Sequence, residues 1–395
     1  MKLQSLALQI GLTSLLMSCQ SVTQRPQEPY SLSIREQIKT ESTISVKSDI
    51  QSVEYVPLET TDSCFISNAL CLQCTGKYII LYNGKTNQIM QFDRKGKYLG
   101  LISKAGNGPG EYGIVNELFA DEKDDKLYVF QQGGAPLIFS LEGKFLKSDS
   151  TLQKASDLYF LKDGKKVLKG LIMSPIQIAP WIAAVQDGKG NILYSKNPYP
   201  AGLDPTKSFM RDIYFTPSAE SALVYTSCND TIFRLSSNGI SPAYILQRKN
   251  GPDFNKNIAD VSQFQTFQES DVTIHVYDFF ETPHYFYLRI QKGKDFYIQQ
   301  FDKATGTLLS HKIPDIFIKS SKMIPGDDVA GLENDYDNGV PFWPEFGIDG
   351  KSRAQILSPY QINSLRSKGI LKQLPAKLIL PDEVNPVIAI YTFKE

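Results

Sequence analysis

Residues 89–99 read IMQFDRKGKYL, and this stretch predicts a strand, a tight turn and a second strand. Apolar and polar residues alternate before the turn, and Gly96 stands where such a turn requires a positive φ. Four later segments have the same form. They are residues 137–146 (LIFSLEGKFL), 184–193 (AVQDGKGNIL), 231–240 (TIFRLSSNGI) and 297–308 (YIQQFDKATGTL). Repeated β-hairpins are therefore predicted to build the fold.

The hairpins recur at a regular spacing. Counted from Asp93 through the equivalent positions 141, 187, 235 and 302, the intervals are 48, 46, 48 and 67 residues. A period near ~45 residues, with about four strands in each unit, is typical of a propeller blade. The long last interval predicts an insertion around residues 250–271.

Strand-like segments at the two ends of the chain supply a sixth unit. These segments are residues 53–58 (VEYVPL) and 386–393 (PVIAIYTF). Their pairing within one blade would close the ring and remove free sheet edges. The predicted fold class is all-β: a six-bladed β-propeller in which N- and C-terminal strands close the last blade. Residues 358–372 are an exception, because a Ser-Pro start and the apolar spacing predict a short helix outside the blades.

The N-terminus has the pattern of an export signal. Lys2 precedes a mostly apolar run at residues 6–17, which is about as long as a secretory h-region and too short to span a bilayer as a helix. Leu16, Ser18 and Cys19 resemble the bacterial lipobox, which implies a lipid on the thiol of Cys19. The predicted organisation is a signal peptide (1–18), a lipidated tether (19–43) and a propeller (44–395). The predicted location is the cell envelope, anchored to the outer membrane, with the membrane face left open.

Composition narrows the function further. Lys plus Arg and Asp plus Glu number 42 each, so no net field draws the chain to nucleic acid or to anionic lipid. The 20 Tyr and 22 Phe favour strands. Beyond Cys19 there are four cysteines, an even number that permits disulfides in an exported protein; they are Cys64, Cys71, Cys74 and Cys228. Cys71 and Cys74 have no second paired motif, so they are interpreted as packing residues in a strand.

Several stretches carry a family resemblance. Residues 55–64 (YVPLETTDSC) resemble the opening of the six-bladed β-propeller lipoproteins of Bacteroidetes. Residues 91–99, followed by 106–112 (GNGPGEY), are similar to the NHL-repeat pattern. Residues 338–344 (NGVPFWP) and 385–388 (NPVI) also resemble that family. The resemblance covers nearly the whole mature chain and implies a lipoprotein with a propeller fold, but it implies no particular activity.

Two stretches resemble ligand-binding loops. Residues 104–113 are rich in glycine but lack the order of a phosphate-binding loop, and they are interpreted as a turn between blades. An EF-type calcium loop starting at Asn334 would place Gly339 sixth and Glu345 twelfth. The sequence therefore leaves Ca²⁺ binding near Asp335 and Asp337 open, although a solvated loop is the favoured interpretation and no other cofactor is expected.

No catalytic motif is present. A nucleophile elbow, a zinc-protease motif and a sialidase Asp box are all absent, and the three histidines are scattered at positions 275, 284 and 311. Paired carboxylates could still perform glycosidic chemistry, but spacing alone names no pair.

Aromatic residues in proline-rich loops are the candidates for binding. Trp181 and Trp343 are such residues, and Arg211 and Tyr336 are their candidate polar companions. The predicted function is a binding module for a glycan, a peptide or a protein partner of a nutrient-uptake system. The alternatives are a glycan hydrolase or lyase with carboxylates at the central funnel, and a protein-interaction scaffold.

Overall fold

A computed structural model describes residues 27–170, 172–173, 177–178, 180–197, 213–226, 229–248, 274–314, 331–371 and 374–395. Within these residues, six antiparallel sheets of four strands are arranged in a ring as the blades of a β-propeller, and one of them gains a fifth, parallel strand from the N-terminal segment. The predicted fold class is confirmed.

Strands β1 and β2 precede the first three blades. They are β1 (Tyr30–Leu32) and β2 (Ile50–Pro57). Blade I contains β3 (Ala69–Cys74), β4 (Tyr78–Asn83), β5 (Gln88–Asp93) and β6 (Tyr98–Leu101). Blade II contains β7 (Val115–Asp121), β8 (Lys126–Gln131), β9 (Leu137–Ser140) and β10 (Phe145–Ser148). Blade III contains β11 (Ala155–Phe160), β12 (Lys166–Gly170), β15 (Ala183–Gln186) and β16 (Ile192–Lys196), with β13 (Ile172–Met173) and β14 (Gln177–Ile178) as a separate hairpin between β12 and β15.

The other three blades follow the same order. Blade IV contains β17 (Ile213–Ser218), β18 (Ser221–Thr226), β19 (Thr231–Ser236) and β20 (Gly239–Leu246). Blade V contains β21 (Ile274–Glu281), β22 (Tyr285–Lys292), β23 (Asp295–Asp302) and β24 (Leu308–Lys312). Blade VI contains β25 (Phe346–Gly347), β26 (Ser352–Leu357), β27 (Val387–Phe393) and the N-terminal β2. The helices are α1 (Ile34–Gln37) and α2 (Pro359–Ser367), with 3₁₀ turns at Ser150–Leu152 and Ala376–Leu378.

The innermost strands lie side by side around the ring axis. They are β3, β7, β11, β17, β21 and β25. Strand β3 contacts β7 and β25, β7 contacts β11, and β17 contacts β21. Each of them ends at what we call the short-turn end, where turns such as 75–77 and 94–97 join successive strands of a blade. The opposite end, where the innermost strands begin, is the long-connection end, and it includes the connection 102–114.

The two chain ends close the ring as predicted. Strand β2 pairs antiparallel with β27, from Ile50 opposite Phe393 to Pro57 opposite Val387. It forms the outer edge of blade VI, so the last blade contains strands from both ends of the chain. Helix α2 confirms the helix predicted within residues 358–372. Among the described residues, no helix is long and apolar enough to cross a bilayer.

The repeated hairpins owe their shape to their turn residues. In blade I the Asp93 carboxylate accepts hydrogen bonds from the backbone N–H groups of Lys95 and Lys97, at 2.8 and 2.9 Å. Gly96 has φ 87°, and a Cβ there would collide with the carbonyl of Pro57. A positive φ is also found at the equivalent glycines 143, 190, 239 and 306, as the sequence predicts.

The free N-terminal tether is shorter than the sequence predicts. Residues 28–49, here called the N-terminal belt, run along the outside of blades IV and V and lead into β2. Strand β1 adds to the outer strand of blade IV in parallel, and Leu32 and Ile34 are buried. The prediction of a free tether over residues 19–43 is therefore wrong from Tyr30 onward. The segment is polar overall, but its few apolar side chains alternate and cover the blade edges.

Candidate functional site

The innermost strands share a bulge near their starts. The register shifts once in β3, β7, β11 and β21, and the first residues after the shifts are Cys71, Glu117, Asp157 and Asp278. Three of the four positions are acidic. Because a bulge leaves a backbone group without its ladder partner, a nearby acceptor is needed there.

The acids at the bulges accept hydrogen bonds from the backbone N–H groups that follow them. Glu117 accepts from the N–H of Leu118 at 3.2 Å, and Asp157 accepts from the N–H of Leu158 at 2.7 Å. Asp278 accepts from the N–H of Phe279 at 2.8 Å. The arrangement therefore places acidic groups near the starts of three innermost strands.

Glu117 and Asp157 lie close enough to influence each other. Burial raises the pKa of Asp157 well above its usual value, and the Glu117 carboxylate raises it further. Lys169, opposite Asp157 on β12, lowers the pKa of Asp157. Both acids are half-buried, so they keep some exposure within the ring. The protonation of one carboxyl group therefore depends on that of the other.

Aromatic rings accompany this pair. Phe119 and Tyr159 each follow an acid by two residues, so each shares the acid's face of its strand. Phe119 lies 5.7 Å from the ring of Phe160, and both rings are half-buried. Phe119 packs between blades II and III, and Tyr159 packs between blades III and IV. The pair Glu117–Asp157 is called the channel site below.

The third acid is held in a different environment. The indole N–H of Trp343 donates to the Asp278 carboxylate at 3.0 Å, and the Arg289 guanidinium lies 4.4 Å from the centre of the Trp343 ring. Burial raises the pKa of Asp278, while Arg353 and Arg289 oppose this. Burial also lowers the pKa of Arg353 to about 10. Asp278 is thus held in a packed ionic cluster between blades V and VI.

The short-turn end of the ring is narrowed by contacts between blades that are not neighbours. Arg353 of blade VI donates to Thr216 Oγ1 of blade IV at 2.7 Å. A Cβ on Gly350 would collide with the backbone of Ala219, and Tyr159 Oη donates to the Ala219 carbonyl at 3.0 Å. Blades III, IV and VI therefore meet across the ring axis here, and a ligand would reach the channel site from the long-connection end.

Comparison with known proteins identifies a family. Residues 29–392 match DUF4934, a domain of unknown function. The chain belongs to this family. No curated protein matches the sequence.

Solved structures support the fold of this DUF4934 chain. A protein of Bacteroides fragilis described as exported is similar at 17% identity with a TM-score of 0.65, over 93% of this chain and 99% of that one. A DUF4221 family member from Bacteroides vulgatus is similar at 11% identity with a TM-score of 0.50, over 88% and 99%. At these identities the likeness concerns the fold alone. The resemblance to the NHL-repeat pattern stays a prediction.

The two tryptophans of this DUF4934 chain are not exposed. Trp181 is 7% exposed and packs between blades II and III, whereas Trp343 is 1% exposed and packs between blades V and VI. The expectation of loop aromatics available for stacking is therefore wrong, because both rings fill core space between blades. Tyr336 is half-buried, and its hydroxyl donates to the Gln51 carbonyl at 2.9 Å. Tyr336 and Trp343 belong to one hydrophobic cluster, and Trp181 belongs to another.

The candidate calcium ligands have protein donors. Asp335 accepts from the backbone N–H groups of Val46 and Lys47, each at 2.9 Å, and Asp337 accepts from Tyr55 Oη at 2.9 Å. Within the part of the chain that is described, no group of three or more His, Cys, Asp or Glu side chains could hold a metal ion. Calcium binding at these two residues stays a prediction.

The strand interpretation of the cysteine pair is confirmed. Cys71 and Cys74 lie in β3 and are buried, and Cys64 is buried as well. Because they are three residues apart on a strand, they point to opposite faces. Burial raises the pKa of the Cys74 thiol to about 12, with Arg94 opposing. Cys19, Arg211 and Cys228 lie outside the described residues, as does the predicted insertion at residues 250–271.

The sequence contained a signal for the channel site. An acid followed by an apolar residue occurs near the start of each of three innermost strands, and Glu117 and Asp157 are 40 positions apart. The repeated outer hairpins do not contain these acids, because the acids lie on the innermost strands. The pattern marks the bulges but not the proximity of Glu117 and Asp157.

Proposed function

We propose that this protein is a lipid-anchored envelope propeller that binds a glycan in the channel site. One observation carries the proposal: Glu117 and Asp157 share a half-buried position on the innermost strands, and their charges interact. Acids inside a fold with shifted protonation are common at functional sites. The bulges account for one acceptor oxygen of each acid, but not for the proximity of the two side chains.

The chemistry of the channel site suits a hydroxyl-rich ligand. Each sugar hydroxyl can donate and accept, so it matches two neighbouring carboxyl groups, which offer acceptor oxygens and, where one holds a proton, a donor. An anionic glycan would meet the Glu117 charge, which disfavours uronate and sulfate groups at this position.

A glycan array tests the proposal. The soluble chain of residues 20–395 is expected to bind neutral or amino-sugar glycans and to bind their sulfated counterparts more weakly. The measurement is fluorescence on an array of neutral, amino-sugar, uronate and sulfated oligosaccharides at neutral pH. Binding to no glycan, or binding to sulfated glycans alone, would contradict the proposal and favour a protein-interaction scaffold.

A second function is favoured by the raised pKa of Asp157. A carboxyl group whose pKa is raised beside another carboxyl group can act as a general acid, as in the hydrolysis of glycosidic bonds. An array ligand incubated with the protein would then gain reducing ends, and Asp157→Asn would abolish this. Binding without product formation would leave the binding module as the function.

The proposed location rests on the lipobox-like residues before Cys19. The lipid on Cys19 would hold the mature chain at the outer membrane, whose two faces the sequence does not distinguish, and about two acyl chains suffice for stable anchoring. Cys19→Ala is expected to move the protein from the membrane fraction to the soluble envelope fraction, measured by immunoblotting of fractions. The matched control Ser21→Ala should stay with the membrane. A Cys19→Ala protein that remains in the outer-membrane fraction would contradict the anchor.

A further inference from the structure

The N-terminal belt begins at the short-turn end of the ring. Glu28 accepts three hydrogen bonds from the Arg234 guanidinium, at 2.6, 3.0 and 3.1 Å. Arg234 also donates to Ser218 and Ser221 at 3.1 and 2.8 Å, and these serines flank the turn that ends the innermost strand of blade IV. Residue 28 therefore lies at the end of the propeller where the innermost strands finish.

A buried network fixes this contact. The Glu281 carboxylate, whose side chain is 4% exposed, accepts from both terminal nitrogens of Arg234 at 3.0 Å. Lys303 and Tyr244 also donate to Glu281, at 3.1 and 2.6 Å. Glu28 adds a second anion beside the two cations Arg234 and Lys303. The charges of the network therefore balance only when the belt is in place.

The belt then runs away from the short-turn end. The ring of Tyr30 lies 5.4 Å from that of Tyr244 and 5.1 Å from that of Phe301, across the outer sides of blades IV and V. Leu32 and Ile34 are 1% and 0% exposed, and Gln299 donates to the Ile34 carbonyl at 2.9 Å. With these contacts the belt is part of the folded propeller, so its first residue has a fixed position.

The residues before the belt are too few to reach the other end easily. Cys19 to Gln27 is nine residues, which span at most about 30 Å when fully extended and ~17 Å as a flexible chain. Strand β22 has eight residues and is about 27 Å long. A lipid on Cys19 could bring the long-connection end to the bilayer only if those nine residues were almost fully extended along the blades.

We infer that the short-turn end faces the membrane that holds the lipid, and that the long-connection end, with the entrance to the channel site, faces away from it. The inference rests on the lipid anchor of the proposed function and not on the identity of the glycan. It makes the turns of the short-turn end the surface next to the lipid headgroups. A soluble ligand would then approach the channel site without obstruction by the bilayer.

Fluorescence quenching in vesicles tests the orientation. The full lipidated protein, in a Cys228→Ser background, carries a thiol-reactive fluorophore at Lys189→Cys or at Asn107→Cys. Both positions are exposed; residue 189 lies in the turn between β15 and β16, and residue 107 lies in the connection from blade I to blade II. The vesicles contain phosphatidylethanolamine, phosphatidylglycerol and a lipid with a nitroxide on its headgroup. Quenching is expected to be several-fold stronger at residue 189.

Flotation of the vesicles separates the possible failures. Protein that floats with the vesicles but is quenched equally at both positions, or more strongly at residue 107, overturns the orientation and leaves the anchor intact. Protein that does not float better than the Cys19→Ala variant overturns both the anchor and the orientation. Glycan binding by the soluble chain is measured separately and is unaffected by either result.

Discussion

A chain that ends at Asn385 is expected to lose cooperative folding. The truncation removes β27, which lies between β26 and β2 in blade VI. Val387, Ile388, Tyr391 and Phe393 are each buried to within 1% of completely. Burial of such side chains contributes about 1.5–3 kcal/mol each, so the loss is of the order of the whole stability of a typical domain, about 5–15 kcal/mol.

Two features make this expectation specific to ring closure. The deletion leaves β26 and β2 with unpaired edges. It opens the ring within blade VI, where β27 joins them. A matched control removes Glu395 alone, an exposed residue that pairs with exposed Lys351, and should keep wild-type stability. Near-UV circular dichroism and urea denaturation give the readout. A cooperative urea transition in the chain ending at Asn385 would show that β27 does not close the ring.

Glu281→Gln is expected to lower the free energy of unfolding by about 3 kcal/mol at neutral pH. Burial alone would raise the pKa of Glu281, but Arg234 and Lys303 outweigh it and lower the pKa to about 2. A depression from 4.5 to about 2 corresponds to roughly 3 kcal/mol. The variant also leaves Arg234 with only the partly exposed Glu28 as its anionic partner, and breaking a buried pair typically costs about 3–5 kcal/mol.

The same shift fixes a pH dependence. Because the folded pKa lies below the unfolded value, the contribution is fully present above about pH 4.5 and is lost as the pH falls toward 2. The wild-type protein should therefore lose more stability over this window than Glu281→Gln. Glu220→Gln, which removes an exposed ion pair with Lys162 at the same end, is the control and should change stability by about 0.5 kcal/mol at most. The free energy of unfolding is measured by urea titration at pH 7 and at pH 3. If Glu281→Gln and Glu220→Gln lower it equally relative to the wild-type protein at pH 7, the role assigned to Glu281 is refuted.

The architecture was predictable because its signals are local and repeated. Each outer hairpin has alternating strands and a glycine with positive φ, and five repetitions reveal a period without any knowledge of contacts. Closure by β2 and β27 was predictable for a different reason. Both segments are strongly strand-forming, and a ring of blades needs a partner for each of them.

The channel site was not predictable from spacing. Glu117 and Asp157 belong to different blades, and their proximity depends on how the innermost strands pack around the axis. The prediction that the tryptophans are exposed was wrong for a related reason. Proline-rich surroundings indicate a loop, but they do not reveal whether the loop packs between blades, as those of Trp181 and Trp343 do.

The N-terminal belt shows the limit of composition. Residues 20–40 are polar with two prolines, which is typical of a linker. Only the alternation of Tyr30, Leu32 and Ile34 indicates a strand, and three residues are too short a pattern to distinguish from chance. The tether ends where the belt packs against blades IV and V, and composition does not reveal that packing.

The affinity of the best-bound array glycan for channel variants tests the central claim most directly. Calorimetry would compare the wild-type chain, Glu117→Gln with Asp157→Asn, and a control with Glu122→Gln and Asp124→Asn, two exposed acids at the short-turn end. Loss of a hydrogen bond to a charged group costs about 1.5–3 kcal/mol, so the channel variant should bind at least ~10-fold more weakly while the control keeps wild-type affinity. Equal affinity of all three proteins would contradict a glycan site in the channel.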